Sequence, residues 1–397
     1  MGSYVTLTVG RFEVDWGKNQ VLNDHGKLFL PGDLTFATDY YARGAGKKEP
    51  AFLRPLSSVR RRLELLGYSL KACRKIYEEN TSYAQRYEDV PDIGFPEFKN
   101  AVAALDVTRG GVLEDEGDYD PGEYAVTHVL EKGPFKALVP DDLRAKRDLG
   151  LVLENLDPYV VLRLLAENPR NLPRRVTWRH ADLVDGGWIE ENELKPGLTA
   201  ADKYLVVTEG SSDSKVLRES LFTVAPDVAD FFDFIDMSEN YPFTGTGNLV
   251  RFCQGLARIQ IQNKVLVVFD NDTAGWDALA RVEALDLPPR MRLAVLPDLR
   301  ELRQFPTLGP SGSRRENVNR KAASIELYLG LRGDGRKKPT VRWTSYNEKL
   351  DRYQGELVGK ESYVRAFLAA RKRGTYDMTK LGKVWEALIA ACVAEDA

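Results

Sequence analysis

The sequence predicts an α/β protein: a parallel sheet of about four strands with flanking helices, preceded by a mixed domain of short β element and mostly helix. Three observations carry this expectation. Beyond residue 197, apolar strands and amphipathic helices alternate in a βαβα series, the signature of a parallel sheet covered on both faces. Those strands are almost continuously apolar, as strands buried on both sides must be. Before that point, two β-branched and aromatic segments give way to long stretches of helical periodicity. The length of 397 residues suits two or three domains. Pro196-Gly197, just ahead of a strongly apolar strand, marks the boundary, so the expected domains are 1–196, 197–330 and a basic extension 331–397, helical in part.

Taken in order, Tyr4–Val9 and Arg11–Trp16 read as strands broken by Gly10, with Gly17-Lys18-Asn19 ending the pattern. Val59, Leu63, Leu66, Leu70 and Cys73 recur at helical spacing. A helix is expected from Pro96 to Leu105, an acidic loop from Arg109 to Gly122, and helix again from Asp141 to Glu167, with Pro158 opening a second helix at its first turn. After the boundary the expected strands are Tyr204–Thr208, Phe231–Ile235, Lys264–Phe269 and Arg292–Leu296. Helices are expected over Ser214–Phe222, Asn248–Ile261, Trp276–Leu285 and Lys321–Leu329. The last would place Ala322, Ile325 and Leu329 on one stripe, with Glu326 at its edge and incompletely buried.

Composition excludes several classes. Cys73, Cys253 and Cys392 lie far apart without a C-x-x-C, so neither a zinc ribbon nor a disulfide framework is available. Only three histidines are present, which leaves carboxylates as metal ligands and selects hard cations. No apolar run is long enough to span a membrane and no signal peptide is evident, so a cytoplasmic protein without membrane contact is expected. The net charge of -3 is uneven: Arg290 to Lys383 carries 22 basic and 10 acidic residues, a local +12. Such a region is either an anion-binding surface, nucleic acid being the obvious partner, or a solvated basic face.

The acids concentrate where ligands bind in parallel sheets, at the carboxyl ends of strands. One strand ends in Thr208-Glu209-Gly210-Ser211-Ser212-Asp213 and another in Phe269-Asp270-Asn271-Asp272-Thr273-Ala274-Gly275. Asp270 and Asp272 point the same way along an extended backbone. Two like charges that close call for a cation between them. Alone, either motif would be a solvated loop or a helix cap. Each closes an apolar strand and opens a helix within one series, and that points to a metal site.

The segment Leu205–Gly210 with Asp213, followed by Asp270-Asn271-Asp272, resembles the Toprim domain of topoisomerases, bacterial primases, ribosomal-RNA-maturing ribonucleases and nucleases of the overcoming-lysogenization-defect type. The resemblance covers residues 204–330 and implies a Toprim-type sheet with Mg²⁺ or Mn²⁺ on Glu209, Asp270 and Asp272. Asp213 matches the extra acid of the last branch. Asn317–Leu329 resembles the segment that supplies that branch's second-metal glutamate, here Glu326. Tyr353–Lys360 would carry its active-site lysine as Lys360, a plain surface lysine being the alternative. The N-terminal part, with Gly2-Ser3-Tyr4 and Glu13–Asn19, is similar to the HEPN/Toprim-associated modules of bacterial proteins linked to anti-phage defence. Arg175 and His180 have the Arg-x4-His spacing of HEPN ribonucleases, but their segment reads as a strand instead of the required helix.

Absences narrow the choice. Gly44-Ala45-Gly46-Lys47-Lys48 is no Walker A motif, so no ATP is expected. There is no zinc site of the primase kind and little room for a topoisomerase gate. Thr244-Gly245-Thr246-Gly247 reads as a plain turn, with a phosphate cradle as the alternative. The expected function is a two-metal endonuclease. Glu209, Asp270, Asp272 and Lys360 would be catalytic. Glu209, Asp213, Asp270, Asp272 and Glu326 would hold the ions. Arg314, Arg315, Arg320, Lys321, Arg336, Lys337 and Lys338 would track the phosphates of DNA or RNA, tRNA included. A homodimer or a regulatory partner protein is compatible with the chain. The alternative is a nucleic-acid-binding or sensor module whose metal is structural.

Overall fold

The structure, a computed structural model, describes residues 3–38, 48–88, 90–108, 123–235, 245–310, 312–331, 338–371, 374 and 376–394. The expected loop over 109–122, most of the segment 44–48, Thr244, Arg336 and Lys337 lie outside the described residues. Contacts divide the chain into two compact units, Met1–Gly197 and Leu198–Ala397.

In the first unit, β1 (Tyr4–Val9), β2 (Phe12–Lys18), β3 (Leu34–Thr38), β4 (Lys48–Pro55) and β5 (Arg175–Arg179) form an antiparallel sheet. Its order is β2-β1-β5-β4-β3. The strand content exceeds the expectation of a short β element. Pro50 and Pro55 argue against an interior strand, because proline donates nothing to a ladder. β4 nonetheless lies between β5 and β3, with Pro50 opposite Phe36 and Pro55 opposite Arg175.

The helices behave as expected. α1 (Leu56–Leu66) ends at Gly67 in the left-handed region (φ 106°), a conformation that only glycine adopts without strain. α2 (Leu70–Ala84), α3 (Phe95–Ala103) and α4 (Leu143–Glu154) follow. α5 (Pro158–Leu165) opens on Pro158, and its Asp157 cap accepts from the Tyr159 amide at 2.9 Å. These elements bury one core around Trp178, which stacks on Phe29 and Phe52. Arg163 binds α1 to α5 through Glu64 (3.1 Å) and Glu167 (2.6 Å).

In the second unit the four parallel strands are present: β6 (Tyr204–Thr208), β7 (Phe232–Phe234), β8 (Lys264–Phe269) and β10 (Met291–Val295), ordered β10-β8-β6-β7. Their connections run through α6 (Ser211–Val224), α7 (Thr246–Arg258) and α8 (Thr273–Glu283), with β9 (Asn271–Asp272) between β8 and α8. β7 lies on one side of β6 and β8 on the other. The strand order therefore reverses between β6 and β8, and a crevice opens there at their carboxyl ends.

The rest of this unit departs from the sequence reading. Lys321–Leu329 is not a regular helix. It consists of β13 (Ala322–Ala323), antiparallel to β9, and a single 3₁₀ turn over Ile325–Tyr328. Local periodicity loses here to tertiary clasps. Asn319 donates to the Leu299 carbonyl and accepts from its amide, and the Tyr328 hydroxyl donates to the Pro297 carbonyl at 2.7 Å. β11 (Phe305–Gly309), β12 (Gly312–Glu316), β14 (Val341–Asn347) and β15 (Arg352–Leu357) make a further sheet, ordered β12-β11-β14-β15. α9 (Lys360–Arg371) and α10 (Thr379–Val393) complete the chain as described.

Candidate active site

Glu209 follows β6, and Asp270 and Asp272 follow β8, the two strands that flank the crevice. Glu209 is held by the Thr246 hydroxyl, which donates to Oε1 at 3.1 Å. The Gly245–Gly247 turn thus serves the glutamate from the start of α7. The other oxygen, Oε2, is buried without a hydrogen-bond partner. Burial, and after it the charge of Asp272, push the Glu209 carboxyl up, against the Thr246 bonds and the charge of Lys360.

Asp213 and Asp272 both combine helix capping with membership of the cluster. Asp213 Oδ2 accepts from the Gly210 amide at 2.9 Å at the start of α6. Asp272 Oδ1 accepts from the Gly275 amide at 2.7 Å, and its Oδ2 accepts from Gln354 Nε2 on β15 at 2.7 Å. Burial raises Asp213 to about 7, with Glu326 and Glu209 adding to the push. Asp270 lies well above the usual carboxylate range, first through burial and then through the charges of Asp213, Asp272, Glu209 and Glu326. Acids from three segments of the unit therefore act together on Asp270.

Glu326 is buried (3 % exposed), not set at an open edge as the helical reading implied. Its Oε2 accepts from the Ser324 hydroxyl at 2.7 Å. Lys360 is exposed at the first position of α9, and its charge reaches Glu209 and Asp272. Of the basic residues, Arg314, Arg315, Arg320 and Lys338 are exposed, and Lys321 is half-buried, its backbone paired with that of Asp272. Arg320 is engaged within the fold, 3.4 Å from Asp298 and stacked over Trp276.

Three supporting residues escaped the sequence reading. Gln354 fastens Asp272, Thr246 fastens Glu209, and Asn271 ties Trp276 Nε1 (2.9 Å) to Asp298 (2.8 Å). Asn271, between the two aspartates, and Thr246, within Thr244-Gly245-Thr246-Gly247, lay in motifs the sequence singled out for other reasons, whereas nothing local pointed to Gln354 as a partner of Asp272.

Carboxylate oxygens are the ligands that hard cations take, and an ion would satisfy the orphaned Glu209 Oε2 and offset the charges that act on Asp270. Among the described residues, no three His, Cys, Asp or Glu side chains stand together as a set that could hold a metal ion.

The cluster makes stability depend on pH. A carboxyl whose pKa is higher in the folded chain favours folding below its ordinary value, and that contribution is lost as pH rises through the folded value. In chelator, the wild type should lose stability as pH rises through about 7 more steeply than Asp213→Asn. Urea denaturation at pH 5 to 8 measures this, and parallel profiles would contradict it.

Gly275 lets the first turn of α8 close on the Asp270 backbone, since an added Cβ would stand 2.1 Å from the Asp270 carbonyl oxygen. Gly275→Ala should cost about 1–3 kcal/mol or more, because backbone must move. A melting temperature unchanged within a degree would contradict the close approach.

His180, which follows β5, is buried and stacked on Phe52 at 5.4 Å, and burial lowers its pKa. Arg175 opens that strand, so the pair does not share a helix. A cavity of about 290 Å³ in the first unit, lined by Phe12, Phe98, Tyr124 and Phe135 among others, contains none of the expected site residues. No described helix is long and apolar enough to cross a membrane.

No curated protein and no solved structure matches the chain. A family model does, over residues 1–202, and its description is HEPN/Toprim N-terminal domain 1. That span covers more than half of the chain, and the protein belongs to the HEPN/Toprim N-terminal domain 1 family.

Proposed function

We propose that the second unit is a divalent-metal-dependent phosphodiesterase that cleaves nucleic acid as an endonuclease. The observation that carries this reading is that Glu209 and Asp270 follow the two strands between which the order reverses, and that the charges of Asp213, Asp272, Glu209 and Glu326 all act on the buried Asp270. Glu209, Asp270 and Asp272 would hold one Mg²⁺ or Mn²⁺, and Asp213 with Glu326 a second. Ions bound there would supply Lewis acidity toward a phosphodiester and offset its charge.

The chain's own groups do the rest. Gln354 and Thr246 fix the orientation of Asp272 and Glu209. Asp213, raised to about 7 without an ion, would give up its proton on binding one, so metal affinity should rise with pH. Lys360, whose charge reaches Glu209 and Asp272, would assist the leaving oxygen. Arg314, Arg315, Lys321 and Lys338 would hold phosphates with salt-dependent affinity. Anti-phage defence is the biological setting that the family resemblance implies.

A competing reading, a binding or sensor module with a structural metal, draws support from Asp213 and Asp272 already serving as helix caps. Incubating the full chain with plasmid, linear DNA and total tRNA in Mg²⁺, Mn²⁺ or EDTA separates the two. Cleavage that EDTA abolishes supports the nuclease. Binding without cleavage under every condition supports the module.

A further inference from the structure

On the sheet of the second unit, three aromatic rings share one face near the tip of the β14–β15 hairpin. The register pairs Trp343 with Gly355 and Tyr346 with Tyr353, and directly paired residues stand on the same side of a sheet. Tyr353 lies 5.9 Å from the Trp343 ring and 5.0 Å from that of Tyr346, centroid to centroid. The strip is anchored at one end. Trp343 Nε1 donates to Glu316 at 2.9 Å, and the ring packs over Gly355, where an added Cβ would come within 2.8 Å of it. At the other end it is open: Tyr346 and Tyr353 are 48 % and 49 % exposed. The Tyr346 hydroxyl donates to Asp351, which orients the ring.

Cations lie beside this strip. Glu316, the partner of Trp343, feels the charges of Lys321 and Arg314. The strip is also continuous with the carboxylates. The backbones of Lys321 and Asp272 pair, the Tyr353 carbonyl accepts from the Thr273 hydroxyl at 2.8 Å, and the next residue, Gln354, holds Asp272. Half-exposed aromatic rings aligned on one face and bordered by cations suit a polyanion with flat apolar groups. A duplex keeps its base faces stacked inside, whereas a single strand offers them to aromatic side chains.

We propose that β14 and β15 form a stacking platform for single-stranded nucleic acid, with bases on Tyr353 and Tyr346 and phosphates on Arg314 and Lys321, leading the strand to the carboxylate cluster. The platform rests on the nuclease reading only for what happens to the strand after it arrives.

The test uses the full chain in EDTA and fluorescence anisotropy with a labelled 20-mer, as single-stranded DNA, single-stranded RNA and the matching DNA duplex. The single strands should bind at least tenfold more tightly than the duplex. Tyr346→Ala/Tyr353→Ala should weaken single-strand binding by roughly tenfold or more and leave duplex binding unchanged. Tyr346→Phe/Tyr353→Phe should restore it, which a merely misfolded hairpin would not allow. Comparison of the DNA and RNA arms assigns the sugar.

Equal affinity for duplex and single strand, absence of binding to either, or an alanine variant that binds like wild type would overturn the proposal. The nuclease reading fails separately. Tyrosine-dependent single-strand binding with no cleavage in Mg²⁺ or Mn²⁺ would leave the platform standing and remove the nuclease. Normal cleavage by the alanine variant would do the reverse.

Discussion

Asp270→Asn is expected to abolish metal-dependent cleavage and to raise the melting temperature measured in chelator. Both effects have one cause. Asp270 is the acid on which burial and the charges of Asp213, Asp272, Glu209 and Glu326 all act in the same direction. An uncharged side chain of the same shape relieves that repulsion when no cation offsets it. Loss of function with gain of stability distinguishes this residue from an ordinary buried polar group, whose removal destabilises. Calorimetric melting in EDTA beside a cleavage assay in Mn²⁺ checks both halves. A variant that melts lower than wild type in EDTA, or that cleaves normally, would contradict the role assigned to Asp270.

The second large effect is expected at Glu326→Gln. Volume is kept, and the bond from Ser324 can persist, so packing and nucleic-acid affinity should move little. A surface position would also give changes within about ±0.5 kcal/mol. The two cases separate in turnover, which should fall by orders of magnitude if Glu326 holds the second ion of a two-metal site. They separate again in pH dependence. Glu326 is the charged neighbour that pushes Asp213 up most, so its neutralisation should move the Asp213 titration below about 7. Single-turnover cleavage and a pH–stability profile read these two consequences. Normal turnover would remove Glu326 from the site and favour the sensor module.

How much of this was legible in the sequence depended on where burial was decided. β6 and β8 are buried on both sides, so unbroken runs such as Val265–Phe269 announce them, and with them the acids at their ends. The N-terminal helices were equally open to reading, because Pro158 and the Val59–Leu63–Leu66 spacing act locally. β12, β14 and β15 were not. Their residues alternate weakly and are largely exposed, as in Gly312–Glu316, and a basic, polar segment leaves no trace of period two. β4 was hidden by its two prolines.

Glu326 shows the same limit from the other side. Its apolar neighbours suggested a helix, while the actual path is imposed by Asn319 and Tyr328 bonding to a segment some 20 to 30 residues away. Gln354 lies 82 residues from the aspartate it holds, beyond any local pattern.

The central claim is that the acids of the second unit hold divalent cations. Mn²⁺ binding to the full chain, followed by electron paramagnetic resonance at neutral pH, tests it without reference to any substrate. The account predicts saturable Mn²⁺ binding that Mg²⁺ competes away, that weakens strongly in Asp270→Asn, and that falls by one ion in Glu326→Gln. Wild-type protein that leaves all Mn²⁺ free, or Asp270→Asn that binds it as wild type does, would contradict the account.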